Sequence, residues 1–109
     1  SGAAIICGDT ATSVGTSATV VDSFAKATYR VAKYVCQVTN SGLGEYSASE
    51  LLVVHNGTTA TVTEFAEVKT GASSLGSFTA TINGSNVEVN FTGANSGNTV
   101  KVMPTYIKV

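Results

Sequence analysis

The sequence predicts an all-β fold, an antiparallel β-sandwich (Ig-like or jelly-roll-like) of about seven or eight strands. Three observations carry this. Two strand-like runs flank Asn56-Gly57, a strong short-range hairpin signal. Ser77 to Asn83 and Asn86 to Thr92 alternate apolar and polar residues on either side of Gly84-Ser85. No strand-helix-strand alternation and no internal repeat is visible. The 109 residues read as one sandwich module, with residues 1–9 a linker or tag remnant.

The elements follow in order. Ala3 to Cys7 predicts a short strand and Gly8-Asp9-Thr10 a turn. Thr16 to Phe24 predicts a strand with Val20, Asp22 and Phe24 on one face and Val21 on the other. Ala25-Lys26-Ala27 interrupts it. Thr28 to Asn40 predicts a long strand, with Ala32, Tyr34, Cys36 and Val38 on one face and Val31, Lys33, Val35 and Gln37 on the other. A helix over Phe24 to Tyr34 is the weaker reading, because a β-branched run follows. Asn40 to Gly44 is a loop.

Glu45 to His55 and Thr58 to Val68 form the Asn-Gly hairpin. A two-residue type I′ loop pairs His55 with Thr58, Val53 with Ala60 and Leu51 with Val62. Leu52, Val54 and Phe65 then share the face opposite Leu51 and Val53. Thr70 to Gly76 is a loop, and the next hairpin turns at Gly84-Ser85, a type II′ candidate. It sets Phe78 opposite Phe91, Ala80 opposite Val89 and Ile82 opposite Val87. After a loop at Gly93 to Asn98, Thr99 to Val109 is the last strand, and Pro104 marks an edge, a bulge or a bend.

Composition excludes several classes. The chain is 43% hydrophobic and 12% charged, with a net charge of −1. Disorder needs the opposite balance, and nucleic-acid binding needs clustered Lys and Arg. Lys26, Arg30, Lys33, Lys69, Lys101 and Lys108 are mostly scattered, and no segment approaches the ~18 apolar residues of a membrane-spanning helix. Low charge leaves weak colloidal repulsion, so self-association is easy.

No catalytic, cofactor or metal site is predicted. His55 reads as a surface histidine beside the turn. Of the acids Asp9, Asp22, Glu45, Glu50, Glu64, Glu67 and Glu88, the closest glycosidase-like pair, Glu64 and Glu67, has opposite strand parity. Tyr29, Tyr34, Tyr46 and Tyr106 suit either strand filling or stacking on sugars. Cys7 and Cys36 are either a disulfide or two buried thiols. The sequence therefore predicts no enzyme. The apolar doublet Leu51-Leu52-Val53-Val54 predicts an interface instead. One pair enters the core, and Leu52, Val54 and Phe65 are covered by a loop or, preferably, by a second subunit.

The order of motifs is distinctive: Val21-Asp22-Ser23-Phe24-Ala25-Lys26-Ala27-Thr28-Tyr29-Arg30-Val31-Ala32-Lys33-Tyr34, then Glu45-Tyr46-Ser47-Ala48-Ser49-Glu50 and Val53-Val54-His55-Asn56-Gly57-Thr58-Thr59. Thr63-Glu64-Phe65, Gly71-Ala72-Ser73-Ser74-Leu75, Phe78-Thr79-Ala80, Ile82, Gly84, Asn86-Val87 and a final Val-Lys-Val strand follow. Over roughly residues 10 to 109 this order resembles a β module, often tandem, of virion structural proteins in tailed phages of marine cyanobacteria. Those proteins are described as tail-fibre, neck or whisker-like components. The resemblance implies a non-enzymatic virion module, assembled in the bacterial cytoplasm with other virion proteins or with itself. A trimer is the first expectation and a bead in a tandem string the second. It also implies unpaired Cys7 and Cys36, since that cytoplasm is reducing. The alternative is an adhesion module that binds carbohydrate or another host-surface ligand.

Overall fold

The computed structural model describes residues 9–109, an eight-stranded, all-antiparallel sandwich. The strands are β1 (Asp9–Val14), β2 (Thr19–Ala25), β3 (Tyr29–Asn40), β4 (Glu45–His55), β5 (Ala60–Lys69), β6 (Gly76–Asn83), β7 (Asn86–Gly93) and β8 (Asn98–Lys108). One sheet runs β1-β8-β3-β4-β5 and the other β2-β7-β6. The expected strand at Ala3 to Cys7, Cys7 itself and Gly8 lie outside the described residues. Asp9 and Thr10 open β1 instead of forming a turn, and they pair with Val102 and Lys101.

The core forms where inward-facing residues of both sheets meet. β3 supplies Ala32, Tyr34, Cys36 and Val38, as its alternation predicts. β4 adds Leu51 and Val53, and β8 adds Val100 and Val102. The smaller sheet returns Phe24, Phe78, Val87, Val89 and Phe91. The hairpin β6–β7 has the predicted register, with Phe78 opposite Phe91 and their ring centroids 4.9 Å apart. Gly84 has φ 62° and Ser85 is not positive, which is the type II′ pattern.

The β4–β5 hairpin forms where expected, but in a different register. His55 pairs with Ala60, Val53 with Val62 and Leu51 with Glu64. Asn56 N donates to Thr59 O at 3.0 Å, so the central residues are Gly57-Thr58, not Asn56-Gly57. Only Gly57 is positive, at φ 96°. The Asn56 side chain explains the shift. Its Oδ1 accepts from Thr58 N (3.0 Å) and Thr59 N (2.8 Å), so Asn56 satisfies the turn from outside it and never enters the left-handed region. A two-residue slip of the partner strand preserves parity, which is why the predicted faces survive the wrong register.

Bulges cause the remaining departures. In β2, Val20 pairs with Asn90 and Asp22 with Val89, a register shift at Val21. Val21 and Asp22 are therefore both buried, while Val20 is 43% exposed, so Val20 does not share a face with Asp22 and Phe24. In β5, Ala66 takes φ 55° where Glu50 faces Phe65 and Ala48 faces Val68. The extra residue turns Glu67 toward the same side as Glu64, reversing the expectation from simple parity. Pro104 lies in β8 opposite Tyr34 and, among the described residues, past the pairing with β1.

Candidate functional site

Three clusters hold the polar chemistry of the fold. The first is a sealed carboxylate. The β2 bulge turns Asp22 inward, where its Oδ2 accepts from Tyr34 Oη (2.7 Å) and Tyr106 Oη (2.6 Å). Asp22 is 7% exposed and Tyr34 fully buried. Burial, together with this hydrogen bond to Asp22, pushes the Tyr34 hydroxyl well above the ordinary phenol range. Tyr106 also stacks on Tyr29 at 4.9 Å and tilts against Phe24 at 5.4 Å. The cluster ties β2 of one sheet to β3 and β8 of the other. It is too enclosed to receive a substrate.

The second is His55, which is 4% exposed and not the surface residue its position by a turn suggests. It shares strand parity with Leu51 and Val53, and that parity carries it inside. Its Nδ1 accepts from Gly57 N at 3.0 Å, and its Nε2 lies 2.6 Å from the Tyr29 carbonyl. A carbonyl only accepts, so Nε2 carries the proton and Nδ1 the lone pair. Arg30 donates to the His55 carbonyl (3.1 Å) and Lys26 to that of Gly57 (2.9 Å), fixing the turn.

At the opposite end, Asn98 donates to the carbonyls of Val14 (3.0 Å) and Asn95 (2.7 Å), and Asn40 donates to Ser96 O (2.9 Å) and Asn98 Oδ1 (3.1 Å). These two buried amides satisfy loop backbone that would otherwise be unpaired. Sequence reading passes over both, because Asn is so frequent in this chain.

Three of the remaining acids have near partners. Glu50 pairs with Lys33 at 3.1 Å, and Glu88 accepts from Asn83 at 3.2 Å. Glu67 takes the Ser74 hydroxyl at 2.8 Å and lies 3.7 Å from Lys69. Among the described residues no three His, Cys, Asp or Glu gather as metal ligands. Cys36 is a free, buried thiol, pushed up to about 12 by burial and, secondarily, by the charge of Glu64.

What lies open is the outer face of the larger sheet. Its cross-strand rows read Ile107, Val31, Val54, Thr61; then Thr105, Lys33, Leu52, Thr63; then Met103, Val35, Glu50, Phe65; then Lys101, Gln37, Ala48, Val68. Leu52 is 49% exposed, Val54 46%, Val35 45%, Phe65 39% and Ile107 61%. Leu51 and Val53 enter the core, so Leu52, Val54 and Phe65 share one exposed surface, as their parity predicts. Among the described residues no loop covers Leu52, Val54 and Phe65. At one end this face holds a shallow groove of about 470 Å³, lined by Tyr46, Ala48, Val68, Gln37, Thr39 and Lys69. Tyr46 is 51% exposed on this face, whereas Tyr34 fills the core and Tyr29 and Tyr106 pack on one another.

No known protein family and no curated protein sequence matches the chain. Among solved structures, the tailspike protein of Acinetobacter phage vB_ApiP_P1 is similar at 25% identity and a TM-score of 0.49, over 94% of this chain and 20% of that one. The chain thus spans a fifth of the length of the tailspike it matches.

Proposed function

We propose that this chain is a non-enzymatic structural module of a phage virion and that it assembles through the outer face of its five-stranded sheet. One observation carries the assembly reading: Leu52, Val54, Val35 and Phe65 lie side by side on that face, each between 39% and 49% exposed. An apolar group of this kind on a small monomer marks an interaction surface. The Lys33–Glu50 pair sits among them, so a copy facing it can exchange charge partners across the contact. The virion reading rests on the order of motifs that resembles virion modules of marine cyanobacterial phages, and the buried state of Asp22, Tyr34 and His55 agrees with a non-catalytic part. Tail fibre, neck and whisker are its settings, and a homotrimer is the first expected assembly.

Mass spectrometry and electron microscopy of purified particles encoding the chain test this. Its presence in the particle, with density in a fibre, neck or whisker, is expected. Its absence from the particle, with the protein present in infected cells, would overturn the virion reading. A second reading is favoured by one observation, the groove beside Tyr46, where an exposed ring adjoins Gln37, Thr39 and Lys69 in the manner of a sugar platform. Micromolar binding on a glycan array, abolished by Tyr46→Ala, would establish adhesion instead.

A further inference from the structure

We infer that Asn56-Gly57 is a self-modifying site, at which the folded protein converts Asn56 through a cyclic imide to aspartate or isoaspartate. Ring closure needs a nitrogen nucleophile relieved of its proton, a carbonyl stabilised as it becomes tetrahedral, and a route out for ammonia. All three are present at this turn.

The nucleophile is the Gly57 backbone nitrogen. Its N–H already donates to His55 Nδ1 at 3.0 Å. The Tyr29 carbonyl, 2.6 Å from Nε2, holds the imidazole in the tautomer that leaves Nδ1 free to accept a proton. The ring is locked by burial and lies 6.2 Å from the Phe24 ring. The electrophile is Asn56 Cγ. Its Oδ1 accepts from Thr58 N (3.0 Å), Thr59 N (2.8 Å) and Thr58 Oγ1 (3.0 Å), three donors directed at the atom on which negative charge develops. Asn56 is exposed, so ammonia leaves into water and water reaches the product.

The step balances within the chain and one water molecule. Gly57 N bonds to Asn56 Cγ while its proton passes to His55 Nδ1. The tetrahedral oxyanion collapses, the Cγ–Nδ2 bond breaks, and Nδ2 takes the proton from His55 and departs as ammonia. With His55 neutral again, water opens the five-membered imide at either carbonyl, and the carboxylic acid formed gives its proton to solvent. The product gains one negative charge close to Lys26, whose Nζ donates to Gly57 O at 2.9 Å. In the isoaspartate form it also gains a methylene in the backbone of the turn that joins β4 to β5.

The molecule carries its own control. Asn83-Gly84 occupies the same place in a turn of the same pattern, with Gly84 at φ 62°. Ile82 precedes it in place of a histidine, and Asn83 uses its Nδ2 to reach Glu88 at 3.2 Å. The dipeptide and turn are alike; the base and the array of donors differ.

Ageing the full chain at neutral pH, with peptide mass mapping and isoaspartate methyltransferase labelling, tests the assignment. In the folded protein Asn56 should convert at least about tenfold faster than Asn83, a modest share of the 10²–10⁴ that a positioned base supplies. In urea the two rates should come within about twofold, because only the local dipeptide remains. His55→Gln, verified as folded by circular dichroism, should bring Asn56 down to the Asn83 rate, and Thr58→Val should lower it by less. Equal or slower conversion of Asn56 in the folded wild type overturns the proposal. So does an excess that persists in urea, which belongs to local sequence, or an unchanged rate in folded His55→Gln. If that variant does not fold, the wild-type comparison of folded with unfolded chain decides alone.

Discussion

The Asp22 cluster offers the sharpest test of what joins the two sheets. Tyr34→Phe removes one hydroxyl and leaves the ring, so the fully buried packing of β3 is retained. What is lost is one bond to a buried carboxylate, about 1.5–3 kcal/mol. Tyr106→Phe removes the other and should cost a similar amount. The two phenols share the single acceptor Oδ2, at 2.7 and 2.6 Å, so the double variant should not be additive. Removing the second donor leaves the carboxylate without a phenol partner, and a coupling of about 0.5–3 kcal/mol is expected. Asp22→Ala strands both hydroxyls, at about 1–3 kcal/mol each. That is a large part of the roughly 5–15 kcal/mol that holds a domain folded. The assay is equilibrium urea unfolding of the three single variants and the double, read at constant m-value. Tyr34→Phe within about 0.5 kcal/mol of wild type would contradict this, since surface-like substitutions fall in that range. It would mean that the carboxylate is not held by the phenols.

Further outcomes follow from the same geometry. Gly57→Val should destabilise by about 1–2 kcal/mol from backbone strain alone, because a Cβ there meets nothing within 4 Å and only the φ of 96° opposes it; an unchanged thermal midpoint would contradict this. Cys36 should resist alkylation in the native protein near neutral pH and react on unfolding, since burial holds the thiol protonated up to about 12; rapid native labelling would refute it. The folded pKa lies above the unfolded value of 9.0, so this contribution is complete below pH 9 and is lost as pH rises from there toward 12, in the sense that urea titrations across that range measure. Leu52→Lys should leave the dilute monomer within about 0.5 kcal/mol of wild type while abolishing self-association in sedimentation, whereas Leu51→Ala should cost about 2–5 kcal/mol. Equal destabilisation by the two would mean that the faces of β4 are misassigned.

Much of the fold was legible because it depends on parity and turn chemistry, both of which are local. The β6–β7 hairpin could be registered residue by residue, since Gly84 must lead a type II′ turn and every inward residue from Phe78 to Phe91 is apolar. The β4–β5 turn was located but centred one residue early. An Asn-Gly pair supports two placements, and the choice was made by Asn56 Oδ1 finding three donors in the loop, which is a side-chain geometry without a sequence period. Bulges defeated parity for the same reason. The extra residue at Val21 in β2 and the φ of 55° at Ala66 in β5 leave the composition of their strands unchanged, yet the first takes Val20 off the face of Asp22 and Phe24 and the second brings Glu67 to the side of Glu64.

The proposed assembly surface followed a similar division. Parity put Leu51 and Val53 on one side of β4 and Leu52 and Val54 on the other, but did not decide which side faced inward. The decision came from β3, where Ala32 and Tyr34 lie opposite Val53 and Leu51 and are themselves buried, so that the inner rows of two strands merge into one core. The same choice buries His55, because it continues the Leu51–Val53 parity to the end of the strand. A lone histidine beside a turn gives no warning of this, since burial is set by a neighbouring strand far away in sequence. The outward row has no such neighbour among the described residues. Leu52 sits between Lys33 and Thr63, and Val54 between Val31 and Thr61, so each apolar side chain is flanked by β-branched or polar groups that leave it uncovered. A face built this way loses solvent-exposed apolar area when a second surface lies on it. That combination suits the proposed assembly through this face.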